Sequence, residues 1–286
     1  MFKSLSTGAL SFSAPFDEAL RLASANGFAG LDLPLAELLQ RAADTSVQDI
    51  TDQCGAAGLR PGGWSLPVDF RGGDDAFQAS LAELPRHAAL AEALGSPWCT
   101  TWILPYSDDR DYADNMRHHI ERLGPVAQIL ADHGCRLGLE FVGPATLRAG
   151  HRYEFIHTIN GALELGEQIG TGNTGLLLDC YHWYTAHGTV EELGRLRREQ
   201  VVYAHVNDAP SGRAVDEQLD KERLLPGASG VIDIVGFLRA LDHMGYDGPV
   251  AVEPFDATVQ ALPPAERVRV AAASLDKVWR QAGLDA

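Results

Sequence analysis

Residues 136–141 read Arg136-Leu137-Gly138-Leu139-Glu140-Phe141. In an extended strand alternate side chains point to opposite faces, so Leu137, Leu139 and Phe141 share one face and Arg136, Gly138 and Glu140 the other. One face is greasy; the other is small or polar and places a carboxylate near the strand's end. That is the pattern of a parallel barrel strand, which packs its outer face on helices and opens at its carboxyl end into a site.

Three later runs repeat the pattern: GLLLD at Gly175–Asp179, VVYAHVN at Val201–Asn207 and PVAVE at Pro249–Glu253. Tyr203, His205 and Asn207 share a face, as do Ala251 and Glu253. Glu140, Asp179, His205 and Glu253 therefore stand at the ends of four successive apolar runs, 39, 26 and 48 residues apart. These spacings are too long for a local motif and suit successive strand-and-helix units. Three carboxylates and one imidazole delivered to one place suit a single divalent cation.

Four earlier runs extend the series: Phe2–Ser6, Ala29–Leu33, Leu59–Leu66 and Trp98–Leu104. Helix-period segments fall between the strands, at Phe16–Asn26, Phe77–Leu94, Tyr112–His133, Gly161–Ile169, Val190–Arg198, Ile232–Met244 and Pro264–Ala282. Several are followed by the glycine expected after a helix, among them Gly27, Gly58, Gly134 and Gly245. Eight alternations with no composition break predict an α/β fold, one (β/α)8 TIM barrel spanning residues 1–286, near the usual ~250 residues of that fold. Residues 207–231 are long for a barrel connection and are expected to lie over its mouth as a lid.

Composition narrows the partners. Hydrophobic residues make up 45% of the chain, enough for a large core, and no apolar run approaches the ~20 residues that cross a bilayer. No membrane partner is expected, and the N-terminus lacks the layout of a secretory signal. Cys54, Cys99, Cys135 and Cys180 are isolated in sequence, which fits a reducing, cytoplasmic setting and argues against thiolate–zinc or disulfide frameworks. A net charge of −16 repels phosphate backbones, so nucleic acid is not an expected partner.

Glu140, Asp179, His205 and Glu253, with His182 three residues after the aspartate and the stretch LLPGASGVIDIVGFLRALDHMGYDGPVAVEPF, resemble the xylose isomerase-like TIM-barrel superfamily. More closely they resemble its sugar isomerase/epimerase branch of ketose 3-epimerases, inosose isomerases and inosose dehydratases. The resemblance implies one divalent ion (Mn2+, Mg2+, Co2+ or Zn2+) held by those four residues. Glu140 and Glu253 would be the acid/base pair, moving a proton beside a carbonyl through a metal-stabilised enediolate. The expected activity is isomerisation or epimerisation of a keto-sugar or keto-inositol, a small carbohydrate substrate. The same site can support dehydration or elimination on a keto-inositol or 3-keto-glycoside. A non-catalytic sugar-binding subunit and an endonuclease IV-like repair enzyme are weaker alternatives, the latter opposed by the acidic charge and the small ligand set. A homo-oligomer is left open, as oligomers are common among similar enzymes.

For each residue the bland reading competes. A lone strand-end glutamate is more often a paired charge, whereas four at matching heights favour a metal site. His182 suits a hydrogen bond to a sugar oxygen, and Trp102, near the end of the fourth strand, suits a sugar face. Arg213, in the loop after the seventh strand, divides evenly between a substrate contact and a solvated charge. Asp208 falls on the opposite strand face from His205 and is read as structural.

Overall fold

The computed structural model describes residues 1–284. Eight parallel strands follow the predicted order: β1 (Phe2–Leu5), β2 (Gly30–Leu31), β3 in two pieces (Arg60–Pro61 and Trp64–Ser65), β4 (Trp98–Ile103), β5 (Arg136–Phe141), β6 (Thr174–Asp179), β7 (Val201–Val206) and β8 (Pro249–Val252). β1 pairs with β8 and with β2, and the ladder continues from β4 through β5, β6 and β7 to β8. The barrel closes within β3. Its first piece pairs with β2 and its second with β4, so the two edges of the sheet are halves of one chain segment.

Gly62 and Gly63 join the two halves because nothing larger fits there. A Cβ on Gly62 would lie 2.4 Å from both Asp32 Oδ1 and Ser4 Oγ, and one on Gly63 would lie 2.5 Å from the Tyr203 ring. The chain can thus turn between its two partners with its backbone against the crowded barrel interior.

The strand parity holds. Leu177, Tyr203 and Ala251 form a small buried cluster within the barrel, and Asp179, His205 and Glu253 stand two residues further along the same faces. The outward residues, such as Leu137, Leu139, Leu176 and Val206, join the main core beneath the helices. Helices at Phe16–Ala25, Asp74–Leu94, Tyr112–Asp132, Ile159–Ile169, Ile234–His243 and Pro264–Ala282 match the predicted segments to within a few residues. Gly134 and Gly245 have φ of 63° and 76°, the left-handed geometry that a helix exit needs and glycine supplies without strain.

Two segments differ from the predicted elements. The connection after β2 holds two helices, Leu35–Asp44 and Val47–Ala56. The second restarts at Ser46, whose Oγ accepts the Asp49 N–H at 3.1 Å, an N-cap that breaks the helical period at Thr45. The segment expected to be helical over Val190–Arg198 is helical only at Val190–Leu193, with a separate 3-10 turn at Arg198–Gln200. Among the described residues no helix is long and apolar enough to cross a membrane, and all four cysteines are free and buried.

Candidate metal centre

Sheet register brings the four predicted ligands together. His205 pairs with Asp179 across β7 and β6, Trp102 with Glu140 across β4 and β5, and Glu253, one residue past β8, donates its N–H to the Val206 carbonyl at 3.2 Å. One donor atom from each of Glu140, Asp179, His205 and Glu253 lies within 4.8 Å of the other three. His205 Nδ1 is 3.5 Å from Glu140 Oε1, 3.4 Å from Glu253 Oε2 and 3.8 Å from Asp179 Oδ2. Two ligands bound at ~2.1 Å in a tetrahedral arrangement stand about 3.4 Å apart, so the donors already have the spacing of ligands around one ion.

Hydrogen bonding points the same way. Glu140 Oε1 and His205 Nδ1 are buried with no hydrogen-bond partner among the described residues, a costly state for groups that an ion would satisfy. Asp179 is more fully held: Oδ1 accepts the Tyr181 N–H at 2.6 Å, and Asn207 Nδ2 reaches both oxygens at 3.2 Å. Asn207, on the same face as His205, thus orients a candidate ligand. The donor set and its unpartnered atoms fit a divalent cation.

The charges of the cluster act on one another. Burial pushes the Glu140 carboxyl up to about 7 and the Asp179 carboxyl up to about 6. Burial also acts to raise Glu253, but His205 and Arg223 beside it overcome that and hold it well below the usual carboxylate range. His205 is the converse: burial disfavours its charged form, yet Glu253 and Glu140 raise its pKa well above the ordinary value. The Arg223 guanidinium supplies fixed positive charge beside these buried carboxylates.

Arg223 is the residue that sequence reasoning missed. It is buried, with Nη1 donating to Glu253 Oε2 at 2.6 Å and to Asp179 Oδ2 at 2.8 Å, and Nη2 donating to Asp220 Oδ1 at 2.6 Å. It arrives on the 207–231 segment, which crosses the mouth through a backbone bridge between Asp208 and Leu224. Asp208 anchors the far end of that segment by accepting the N–H groups of Ser229, Gly230 and Ile232 at 2.9, 2.7 and 3.1 Å, the structural role read from its strand face. In sequence, Arg223 sits in the run DKERLL with no period to set it apart from a solvated charge.

His182 is brought to the site. Its Nδ1 accepts the Gly143 N–H at 3.2 Å, and its Nε2 lies 3.0 Å from Arg223 Nη2 and 4.0 Å from Glu140 Oε1. Burial first, and then Arg223, depress its pKa well below the ordinary value, so the ring is neutral. Arg223 Nη2 can only donate, so Nε2 faces a guanidinium donor on the side of the ring toward the cluster. Trp102 is 44% exposed and lines a cavity shared with Glu140, His182, Arg223 and Glu253. Arg213 does not line that cavity. Its guanidinium pairs with Glu222 at 2.8 Å and its carbonyl accepts from Gln218 at 3.2 Å, so it braces the 207–231 segment from within.

The xylose isomerase-like TIM barrel family pattern matches residues 20–278. An inosose isomerase from Halalkalibacterium halodurans is 26% identical over 217 residues, 74% of this chain and 73% of that protein. A 3-dehydroshikimate dehydratase from Pseudomonas aeruginosa is 28% identical over 92% of this chain and 39% of its own length. A solved xylose isomerase domain protein from Alicyclobacillus acidocaldarius superposes with a TM-score of 0.85 at 32% identity, covering 99% of both chains. The chain belongs to the xylose isomerase-like TIM barrel family.

Proposed function

We propose that this chain, an enzyme of the sugar isomerase/epimerase type, is a divalent-metal-dependent isomerase or epimerase of a keto-sugar or keto-inositol. The observation that carries this reading is the unpartnered, buried pair Glu140 Oε1 and His205 Nδ1 within a four-donor cluster at the mouth of the barrel. Glu140, Asp179, His205 and Glu253 would hold the ion; Mn2+, Mg2+, Co2+ and Zn2+ all accept such oxygen and nitrogen donors. Once bound, the ion supplies a Lewis acid that stabilises charge developing on a ketone oxygen as the neighbouring proton leaves.

The remaining chemistry belongs to side chains. Glu140 and Glu253, which approach the cluster from β5 and from the end of β8, would be the acid/base pair that takes the proton and returns it. The His182 ring and the Arg223 guanidinium converge on one corner of the cavity, where they would orient substrate oxygens. The 207–231 segment carries Arg223 into the site and would serve as the lid that excludes water. The four free, buried thiols suit a reducing setting such as the cytoplasm.

A second reading, dehydration or elimination on a keto-inositol or 3-keto-glycoside, is favoured by the similarity to the 3-dehydroshikimate dehydratase. Both readings require exchange of the proton beside the carbonyl. The test loads the protein with Mn2+ and follows inososes, ketoses and 3-keto-glycosides in D2O by proton NMR. Metal-dependent loss of that signal, absent in Glu140→Gln, supports the reading, and an unsaturated product selects elimination. Metal binding without exchange on any member of the panel overturns it.

A further inference from the structure

The ladder between β6 and β7 changes register partway along. Val201 pairs with Leu176, but Tyr203 pairs with Leu177, and from there Ala204 and His205 face Leu178 and Asp179. Val202 is therefore an extra residue on β7, a bulge. Continued from Val201 without it, the ladder would set Ala204 opposite Asp179, and strand alternation would turn His205 to the outer face beneath the helices. The bulge is what makes His205 the neighbour of Asp179. Its carbonyls find side-chain partners: that of Val201 accepts from Arg136 Nη1 at 3.2 Å and that of Val202 from the Tyr246 hydroxyl at 3.3 Å, so the irregular stretch is satisfied where it stands.

The first residue after the bulge is pinned across the barrel interior. Tyr203 is buried, and its hydroxyl donates to Asp32 Oδ2 at 2.6 Å, a bond to a carboxylate and so of the stronger kind. Asp32 follows β2, and its Oδ1 accepts the Ser4 hydroxyl at 2.8 Å and the Gly63 N–H at 2.9 Å. One carboxylate thus ties β7 to β1, to β2 and to the break in β3 where the barrel closes. The Tyr203 ring in turn stands edge-on to the His205 imidazole, with centroids 5.3 Å apart and planes at 80°. Neither Asp32 nor Tyr203 belongs to the four-donor cluster.

We propose that Asp32 and Tyr203 are positioning residues: their hydrogen bond holds β7 in the shifted register, and the Tyr203 ring fixes the plane of His205, so that His205 Nδ1 is presented to an ion. This rests on the reading of Glu140, Asp179, His205 and Glu253 as one metal site and adds what places its nitrogen donor. All six residues of β7 are buried, so apolar burial sets its register only weakly, and a specific bond has to choose between the two.

The test titrates Co2+ into the parent, Tyr203→Phe, Asp32→Ala and Asp32→Asn, reading Kd and the visible absorption of the bound ion, with urea titration of each protein alongside. Tyr203→Phe and Asp32→Ala should raise Kd by about 10–100-fold, the usual effect of losing a group that orients a ligand, and should change the Co2+ bands. Asp32→Asn should keep the parent values, because its amide nitrogen can donate to the Tyr203 hydroxyl while its oxygen retains Ser4 and Gly63. Tyr203→Phe, which keeps the ring, decides where Asp32→Ala does not fold. Lower stability of Tyr203→Phe with unchanged Kd and bands overturns the proposal and leaves the metal reading intact, as does Asp32→Asn behaving like Asp32→Ala. A parent that binds no Co2+ removes both.

Discussion

Arg223 Nη1 donates to Asp179 Oδ2 at 2.8 Å across 44 residues of chain, joining the 207–231 segment directly to a predicted metal ligand. The same nitrogen reaches Glu253 at 2.6 Å, so one buried guanidinium partners two of the four candidate donors. Arg223→Gln leaves both carboxylates without their fixed cation. Breaking a buried pair by removing one partner costs about 3–5 kcal/mol, and that loss is expected in the metal-free protein. Saturating Mn2+ supplies charge to the same carboxylates and should offset part of it. Chemical denaturation of variant and parent, with and without the ion, measures the difference; an equal loss in both conditions would contradict the shared-charge account.

Asn207 holds Asp179 by both oxygens and is itself absent from the four-donor cluster. Asn207→Ala should weaken Mn2+ binding by about 10–100-fold, the usual effect of losing a group that orients a ligand. Competition against a chromophoric chelator gives the affinity, and an unchanged value would show that Asp179 is oriented without it.

Glu140→Gln keeps the shape of the side chain and removes its charge. Proton exchange should fall by about 10²–10⁴-fold, the range of general acid–base contributions. Measuring at saturating Mn2+, confirmed by metal content, separates this loss from weaker ion binding.

Gly63→Ala tests the closure of the barrel. The new methyl would lie 2.5 Å from the Tyr203 ring and 3.1 Å from the Trp98 carbonyl, and overpacking of this kind costs about 1–3 kcal/mol. Urea titration reads the change; Gly8→Ala, where nothing lies within 4 Å, is the control and should shift little.

Away from the cluster, His119 gives a pH signature. Its ring packs at 4.8 Å from that of Phe155, and burial pulls its pKa from 6.5 down to about 4. The unfolded chain therefore binds this proton more readily, and folding stability from the residue is fully present above pH 6.5 and lost as pH falls through about 4. The full loss amounts to about 3 kcal/mol. Stability curves of the parent and His119→Leu between pH 7.5 and 4 should converge toward acid; a constant gap would remove this assignment.

The strand parity of RLGLEF, GLLLD and VVYAHV was legible because the pleat of a strand sends alternate residues to opposite faces whatever the rest of the chain does. From it came the order of the strands and all four candidate ligands, and His182 came from the family resemblance. Arg213 and Arg223 were not separable on the same terms. Both are arginines in a polar segment without a period, yet Arg223 reaches the ligands and Arg213 pairs with Glu222.

Sequence by itself determined the barrel and which strand ends carry donors, because backbone periodicity is a local property and the inward faces of parallel strands necessarily converge. Tertiary structure alone decided two things: that the sheet closes within β3 at Gly62 and Gly63, and that Arg223 is the cation inserted among the candidate ligands. Each depends on how closely non-neighbouring segments approach, which the path of the loops and the packing of Tyr203 against Gly63 set and no local pattern encodes.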